Sequence, residues 1–154
     1  MPPKARTVDP YNDTDVIDAR APRTNQAVIG SLALVAYLTD FKPLIALLGL
    51  QLVIGLTFGR RYCLPCFAYF ELIQPRFGEG ELEDSRPPRF ANYVGVVFLG
   101  SASVAFLAGL TTVGWMLSLI VAALALFAAI SGICVGCEVY TRIARLRGIQ
   151  LLTP

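Results

Sequence analysis

Polar and apolar residues occur in long separate blocks along this chain. Charged residues concentrate in residues 1–24, 60–92 and 138–147, and only Asp40 and Lys42 interrupt the apolar blocks between them. Sustained apolar runs of this kind, bounded by turn residues, predict helices. The predicted helices cover residues 26–39, 44–58, 91–110 and 115–133. Short turns at 40–43 and 111–114 join them into two hairpins.

The length of these helices bears on a membrane assignment. A helix that crosses a bilayer needs about 20 apolar residues, with about 17 as a lower bound. The third and fourth helices meet this length, and snorkelling arginines can extend the shorter first two. Hydrophobic residues make up 55% of the chain and charged residues only 16%, against roughly 25% charged in soluble domains. We therefore predict an all-α integral membrane protein with four transmembrane helices, with a re-entrant first hairpin as the alternative.

The chain also repeats itself. Each half opens with Pro-Arg, continues through an Asn and an apolar hairpin, and ends in Cys-x-x-Cys-x-x-Tyr. The repeats span residues 22–69 and 88–140, and they predict two parallel helical hairpins about an axis normal to the membrane. The matched positions are Pro22, Arg23, Asn25, Cys63, Cys66 and Tyr69 in the first repeat and Pro88, Arg89, Asn92, Cys134, Cys137 and Tyr140 in the second.

The rest of the chain is assigned around these repeats. Residues 1–24 are predicted to form a cytosolic, largely irregular arm, and residues 25–147 the membrane domain. Within that domain, residues 62–74 are expected to form an amphipathic helix broken near Pro65. Residues 75–89 form a polar loop. The fourth helix is expected to continue past residue 133 through Glu138 and Arg142, and residues 148–154 form a tail.

Basic residues predict the orientation. Twelve of the thirteen Lys and Arg residues lie in the arm, the middle segment or the tail, and only Lys42 lies in a turn on the opposite side. The positive-inside rule then places both termini in the cytosol of a multi-pass plasma-membrane protein. Both cysteine pairs follow a helix that runs toward the cytosol, so both are expected at the cytosolic face.

The composition excludes several function classes. The chain has no histidine, which removes imidazole ligation of haem or zinc and any Ser-His or Cys-His couple. A net charge of +2 does not indicate nucleic-acid binding. The predicted spans carry no ionisable residue, which disfavours an ion-coupled transporter.

All four cysteines lie in the repeated motif, which points to thiol–disulfide or persulfide chemistry. Cys63 and Cys66, like Cys134 and Cys137, have the spacing of redox-active dithiols. Arg60 and Arg61 precede the first pair and would stabilise a thiolate. A position after the C-terminus of a helix opposes this, unless Pro65 begins a new helix there.

Two other interpretations stay open. Four thiolates can hold a tetrahedral Zn or Fe centre if the two pairs meet, so Cys63, Cys66, Cys134 and Cys137 are also candidate metal ligands. Cysteines three residues apart in a continuous helix suit a metal better than a disulfide. Alternatively, the cysteines simply pack as small apolar side chains. No cofactor is required by the redox interpretation.

The second repeat resembles a bacterial family of small integral membrane proteins of unknown function. The resemblance rests on Pro-Arg-Phe-Ala-Asn at residues 88–92 and on Gly-x-Cys-x-Gly-Cys-x-x-Tyr at residues 132–140. It implies a four-helix membrane protein that acts with thioredoxin-like or rhodanese-like soluble partners. Of the candidate residues, it covers Cys134 and Cys137, and it does not extend to the first pair. The resulting hypothesis is a membrane-bound thiol or sulfur relay, with a non-enzymatic structural or accessory subunit as the alternative.

Overall fold

The computed structural model describes residues 7–151 and is mostly helical. Residues 1–6 of the predicted arm and 152–154 of the predicted tail lie outside the described residues. The elements in chain order are β1 (Val16–Asp18), α1 (Arg20–Leu38), α2 (Lys42–Phe58), a 3-10 turn (Arg60–Tyr62), α3 (Leu64–Ala68), a π-helical turn (Tyr69–Ile73), α4 (Gln74–Phe77), β2 (Leu82–Asp84), α5 (Arg86–Leu107), α6 (Thr111–Ser131) and α7 (Val135–Leu146).

The two hairpins form where the sequence allows a tight reversal. Asp40 has φ +51° after α1, and Gly109 has φ +79° after α5. Pro43 lies in the first turn of α2, where a residue without an N–H group breaks no helical hydrogen bond. These features fix the reversal between α1 and α2 where it is predicted. The reversal between α5 and α6 lies at residues 108–110, so the predicted turn at 111–114 is wrong and those residues begin α6.

A two-stranded ribbon joins the starts of the two repeats. β1 pairs with β2 in antiparallel register, and Ile17 lies opposite Glu83. Asp18 and Asp84 hold equivalent places, since each accepts the backbone N–H two residues on, from Arg20 and from Arg86. The ribbon therefore ties the entry points of α1 and α5 together at one end of the bundle.

The hairpins pack crosswise, α1 against α6 and α2 against α5. Small residues permit the close approach: a Cβ on Gly30 would lie 2.8 Å from Leu126 Cγ, and one on Gly49 would lie 3.4 Å from Leu99 Cβ. A core of aliphatic side chains from α1, α2, α5 and α6 fills the interior. This reciprocal packing is what a local twofold axis between two parallel hairpins produces, and it leaves α3 on α1 and α7 on α5.

Two helices, α5 and α6, are long and apolar enough to cross a membrane, and α2 is apolar but shorter. In the most apolar windows of α5 and α6, only 17% and 22% of the residues are buried within the protein. The remaining surface presents large apolar side chains, including Val97, Val104, Met116 and Ile130. The structure thus identifies two candidate spans, where the sequence analysis predicts four.

Several predicted boundaries differ from the observed ones. Ordered structure begins earlier than the predicted arm allows, with β1 at Val16 and α1 at Arg20. The predicted polar loop 75–89 contains most of α4, all of β2 and the start of α5. Pro87 and Pro88 lie within the first turn of α5, where proline is favoured. The continuation of the fourth helix through Glu138 and Arg142 is wrong. α6 ends at Ser131, Gly132 adopts φ +76°, and Val135 begins a separate helix.

Candidate dithiol site

The first cysteine pair lies at the start of a new helix. Gly59, with φ +96° and ψ 179°, ends α2, and the 3-10 turn then leads into Cys63. Cys63 is extended and forms the N-cap of α3, and Pro65 lies in the first turn. Proline is favoured there because its fixed φ suits the helix. The helix start that Pro65 was expected to make possible is therefore present, and Cys66 lies in its first turn.

The second pair repeats this arrangement on a longer helix. Gly132 ends α6, and Cys134 is the N-cap of α7 with φ −88° and ψ 114°. The backbone N–H of Cys137 donates to Cys134 Sγ at 3.4 Å. Each pair thus places its first cysteine at a helix N-terminus, where the helix dipole favours a negative charge.

The two sulfurs of each pair are chemically unequal. At the second pair, a hydrogen bond from the Cys137 thiol lowers the pKa of Cys134 to about 6, against partial burial. The same bond, together with burial, raises the pKa of Cys137. The first pair has the same direction: the pKa of Cys63 is lowered by its bond from Cys66, and that of Cys66 is raised. In each pair, the first cysteine therefore has the lower pKa and is the one more readily converted to a thiolate.

Neighbouring amides on α1 contact both pairs. Gln26 Nε2 donates to Cys134 Sγ at 3.2 Å, and an N–H donor stabilises a thiolate. Cys63 Sγ donates to Asn25 Oδ1 at 3.6 Å, which favours the neutral thiol and so opposes the effect of Cys66. Asn25 is buried and its Nδ2 donates to Asn92 Oδ1 at 3.4 Å. The amides thus form a polar seam between the pairs, at the junction of α1 and α5.

The arginines upstream of Cys63 have different roles from each other. Arg60 donates to four backbone carbonyls of the N-terminal segment, those of Pro10, Asp13, Thr14 and Val16. Its charge also favours the thiolate of Cys66, although burial lowers the pKa of Arg60 itself. Arg61 is exposed. Of the two arginines expected to stabilise a thiolate, Arg60 does so at Cys66, the second cysteine of the pair. The main contacts of Arg60 are its hydrogen bonds to the N-terminal segment.

The tyrosine of the motif anchors the first pair. Tyr69 Oη donates to Asp18 Oδ2 at 2.8 Å, and Asp18 also accepts from Gln74 Nε2 and Gly80 N. Burial and this bond raise the pKa of Tyr69. Tyr140 instead packs its ring on Phe90 at 5.5 Å. The repeated tyrosine therefore fastens each helix to the rest of the protein.

The pairs also differ in access. Cys63 and Cys66 are 6% and 7% exposed, whereas Cys134 and Cys137 are partly exposed. A cavity of about 260 Å³ adjoins the first pair and includes Arg60 and Arg89 in its lining. Cys134 borders two further cavities, of about 140 and 280 Å³. The second pair is therefore more accessible than the first.

The four cysteines are not gathered into one cluster. Across residues 7–151, no three Cys, His, Asp or Glu side chains lie close enough together to hold a metal ion. The residues proposed from the sequence thus form two separate dithiols, on opposite sides of the Asn25–Asn92 contact.

Sequence reasoning missed the amides that contact the sulfurs. The sequence suggests Asn25 only as a repeated residue and a possible cap of the first helix, whereas α1 begins at Arg20 and contains it. The sequence assigns no role to Gln26. Asp18 was also missed, although Asp-x-Arg occurs at residues 18–20 and again at 84–86. That repeat, extended upstream of Pro-Arg, was the available signal for the ribbon and for its two carboxylates.

The fold and site define a helical protein with two apolar helices that are long enough to cross a membrane. It also has two dithiols, each at the N-terminus of a helix. The chain belongs to the family described as a domain of unknown function (DUF4395), whose profile matches residues 17–145. The match begins in β1 and ends in α7, so it includes both cysteine pairs. No curated protein and no solved structure gives a significant match.

Proposed function

We propose that this protein is a membrane-bound thiol–disulfide or persulfide relay with a thioredoxin-like or rhodanese-like soluble partner. Cys134 and Cys137 form the pair that meets the partner, and Cys63 and Cys66 form the second pair. One observation carries the proposal: in both repeats, the first cysteine is the extended N-cap residue of a new helix and the second lies in the first turn of that helix. In both, the second cysteine also lowers the pKa of the first. An accidental cysteine has no reason to recur at the same helix position with the same inequality.

The exchange step follows from this inequality. The Cys134 thiolate attacks one sulfur of a partner disulfide, forms a mixed disulfide, and releases the other partner sulfur as a thiolate. Cys137 then loses its proton and attacks Cys134 Sγ, which forms the Cys134–Cys137 disulfide and releases the second partner sulfur. The partner is reduced by two electrons and this pair is oxidised by two. In the persulfide version, Cys134 takes the outer sulfur of a partner persulfide and the partner keeps a thiolate.

The membrane part of the proposal extends the two candidate spans. We propose that α1 and α2 also cross the bilayer, so that the hairpins α1–α2 and α5–α6 span it in parallel. The support is the crosswise packing of α1 on α6 and of α2 on α5, together with the exposed apolar side chains of α2 such as Leu47 and Leu50. The basic residues then put both termini and both dithiols on the cytosolic side of the plasma membrane.

Trapping of the mixed disulfide tests the proposal. In a variant with Cys63 and Cys66 replaced by serine, the further change Cys137→Ser keeps the attacking thiolate and removes the resolving thiol. Purified thioredoxin that carries a thionitrobenzoate-activated active-site cysteine should form a covalent complex with it. The matched control Cys134→Ser should give at least about tenfold less complex, and the four-serine variant none. Equal trapping by the two single-cysteine variants, or none by either, contradicts the proposal.

The burial of Cys63 and Cys66 favours a second candidate for that pair alone. Two side chains that are 6% and 7% exposed contribute to packing between α1 and α3 whatever their redox role. The protein would then be a structural or accessory membrane subunit with packed cysteines. Two measurements separate these candidates. Loss of folding on Cys63→Ala, together with no trapping at Cys134 in a variant that carries Cys137→Ser alone, favours the accessory role.

A further inference from the structure

A pocket of about 140 Å³ lies between α1, α5 and α6 and ends at Cys134. Its walls are apolar and include Ile29, Phe98, Val121 and Leu124. The end of the pocket beside Cys134 is polar, because the amides of Asn25, Gln26 and Asn92 line it there. The pocket therefore suits a ligand with an apolar body and hydrogen-bonding oxygen atoms at the end that meets Cys134.

The position of the pocket indicates how such a ligand enters. Two of its walls come from α5 and α6, the helices that are apolar and long enough to cross a membrane. Ile120 and Leu124 of α6 line it and are 42% and 44% exposed. A ligand dissolved in the bilayer would enter between these helices without passing through water.

Size and chemistry restrict the ligand further. Apolar cavities of about 150 Å³ accept a benzene-sized ring. A dithiol that becomes a disulfide gives up two electrons and two protons, so a ligand that reacts with it must accept both. A quinone is the lipid-soluble ring compound that does so, and its carbonyl oxygens are acceptors for amide N–H groups such as Gln26 Nε2 and Asn92 Nδ2.

We infer that this pocket binds the ring of a membrane quinone, which oxidises the Cys134–Cys137 dithiol. The inference rests on the proposed dithiol function and adds its electron acceptor. The Cys134 thiolate adds to a ring carbon and forms a C–S bond. The Cys137 thiolate then attacks Cys134 Sγ, the S–S bond forms, and the C–S bond breaks. The electron pair of that bond and two protons remain on the ring as hydroquinone, so one dithiol and one quinone give one disulfide and one hydroquinone.

A pair of phenylalanine substitutions on α6 tests the pocket. Ala125 lines it, whereas Ala123, two residues earlier on the same helix, is exposed and lies outside its lining. Ala125→Phe should fill the pocket, and Ala123→Phe adds the same bulk elsewhere. The experiment mixes reduced, detergent-purified full-length protein with a decyl-substituted benzoquinone without oxygen. It follows hydroquinone absorbance and counts thiols by mass spectrometry, with oxidised glutathione as a water-soluble comparison.

The expected result is quinone-driven loss of two thiols in the wild type. Ala125→Phe should slow this at least about tenfold, Ala123→Phe should change it less than about twofold, and glutathione should oxidise all three proteins at similar rates. Equal quinone rates in both variants overturn the pocket assignment. Oxidation by glutathione but not by the quinone overturns the inference and leaves the dithiol function standing. Oxidation by neither overturns both.

Discussion

The two dithiols share one backbone arrangement and differ in their surroundings. In both, a glycine with positive φ ends a long helix and the first cysteine caps the next one. The first pair is buried and the second is partly exposed. Two adjacent residues of α1 form hydrogen bonds of opposite direction with the sulfurs: Asn25 accepts from Cys63, and Gln26 donates to Cys134.

The repeated motif supplies a dithiol in each half of the chain, and contacts from α1 determine whether the thiolate or the thiol form of its first cysteine is favoured. A donor to sulfur stabilises the thiolate, and an acceptor holds the thiol. The same motif thus gives a reactive pair at the start of α7 and a protected pair at the start of α3. We expect exchange with partners to begin at Cys134.

Thiol labelling should separate the two pairs most strongly. In the folded, reduced protein at pH 7, iodoacetamide should label Cys134 at least about tenfold faster than Cys63. Cys63 is 6% exposed and reacts only after local opening, and an opening that costs about 1.4 kcal/mol already slows labelling tenfold. Peptide mass spectrometry over a time course measures both rates. The difference should vanish in denaturant, and equal rates in the folded protein would contradict the comparison.

The pH dependence of labelling sharpens the account of Cys134. Its rate should be half-maximal near the pKa of about 6 and should fall as the pH drops below it, because the thiolate is the reactive form. Cys137→Ala removes the thiol donor and should move the midpoint upward by about one to two pH units, since a hydrogen bond to a charged group contributes about 1.5–3 kcal/mol.

Cys137→Ser is the matched control for that shift. The serine hydroxyl still donates a hydrogen bond, so the midpoint should lie between those of the wild type and Cys137→Ala. A midpoint unchanged in both variants would mean that the Cys137 thiol does not stabilise the Cys134 thiolate.

The two helix-ending glycines should also differ. Gly132 has φ +76° and ψ 0°, a left-handed conformation that asparagine tolerates, whereas Gly59, with ψ 179°, occupies a region open essentially to glycine alone. Gly59→Asn should therefore lower the free energy of unfolding by about 1–3 kcal/mol. Gly132→Asn should lower it by less, because the new Cβ meets only the guanidinium of Arg23, 3.0 Å away at the end of a flexible side chain. Unfolding in mixed detergent micelles measures both. Gly100→Ala in α5 is the control of opposite sign, since a Cβ there meets open space and alanine favours a helix by about 0.5–1 kcal/mol over glycine. Equal losses would contradict the backbone assignment.

The smallest expected effect concerns Gln26. Gln26→Leu removes the N–H donor to Cys134 Sγ, and the loss of about 0.5 kcal/mol should slow labelling of Cys134 at pH 5, below its pKa, by about twofold. Thr24→Val, on the same turn of α1, changes a side chain that bonds its own helix and should leave the rate unchanged. An equal effect of the two substitutions would indicate a general disturbance of α1.

The sequence predicts two hairpins because the long apolar blocks and the charged turn at Asp40 are local features. It places the second turn a few residues late, at 111–114, because nothing in the apolar run marks Gly109 as the residue that adopts a positive φ. The sequence does not predict the end of α6 at Gly132, because glycines also occur inside apolar helices. Only the left-handed φ of Gly132 ends this helix. The sequence also fails at β1 and β2, since three-residue strands carry no periodic pattern and form only by pairing across the repeats. The cysteines are evident from their spacing. The roles of Asn25 and Gln26 are not, because they depend on the side-by-side packing of distant helices.

A redox titration of the detergent-purified protein tests the central claim most directly. Glutathione buffers from about −320 to about −120 mV span the potentials of known dithiol proteins, and mass spectrometry reads the state of each cysteine. The account predicts that Cys134 and Cys137 convert together, as one two-electron couple, from two thiols to a disulfide within this range. Four cysteines that remain thiols at the oxidising end would contradict it.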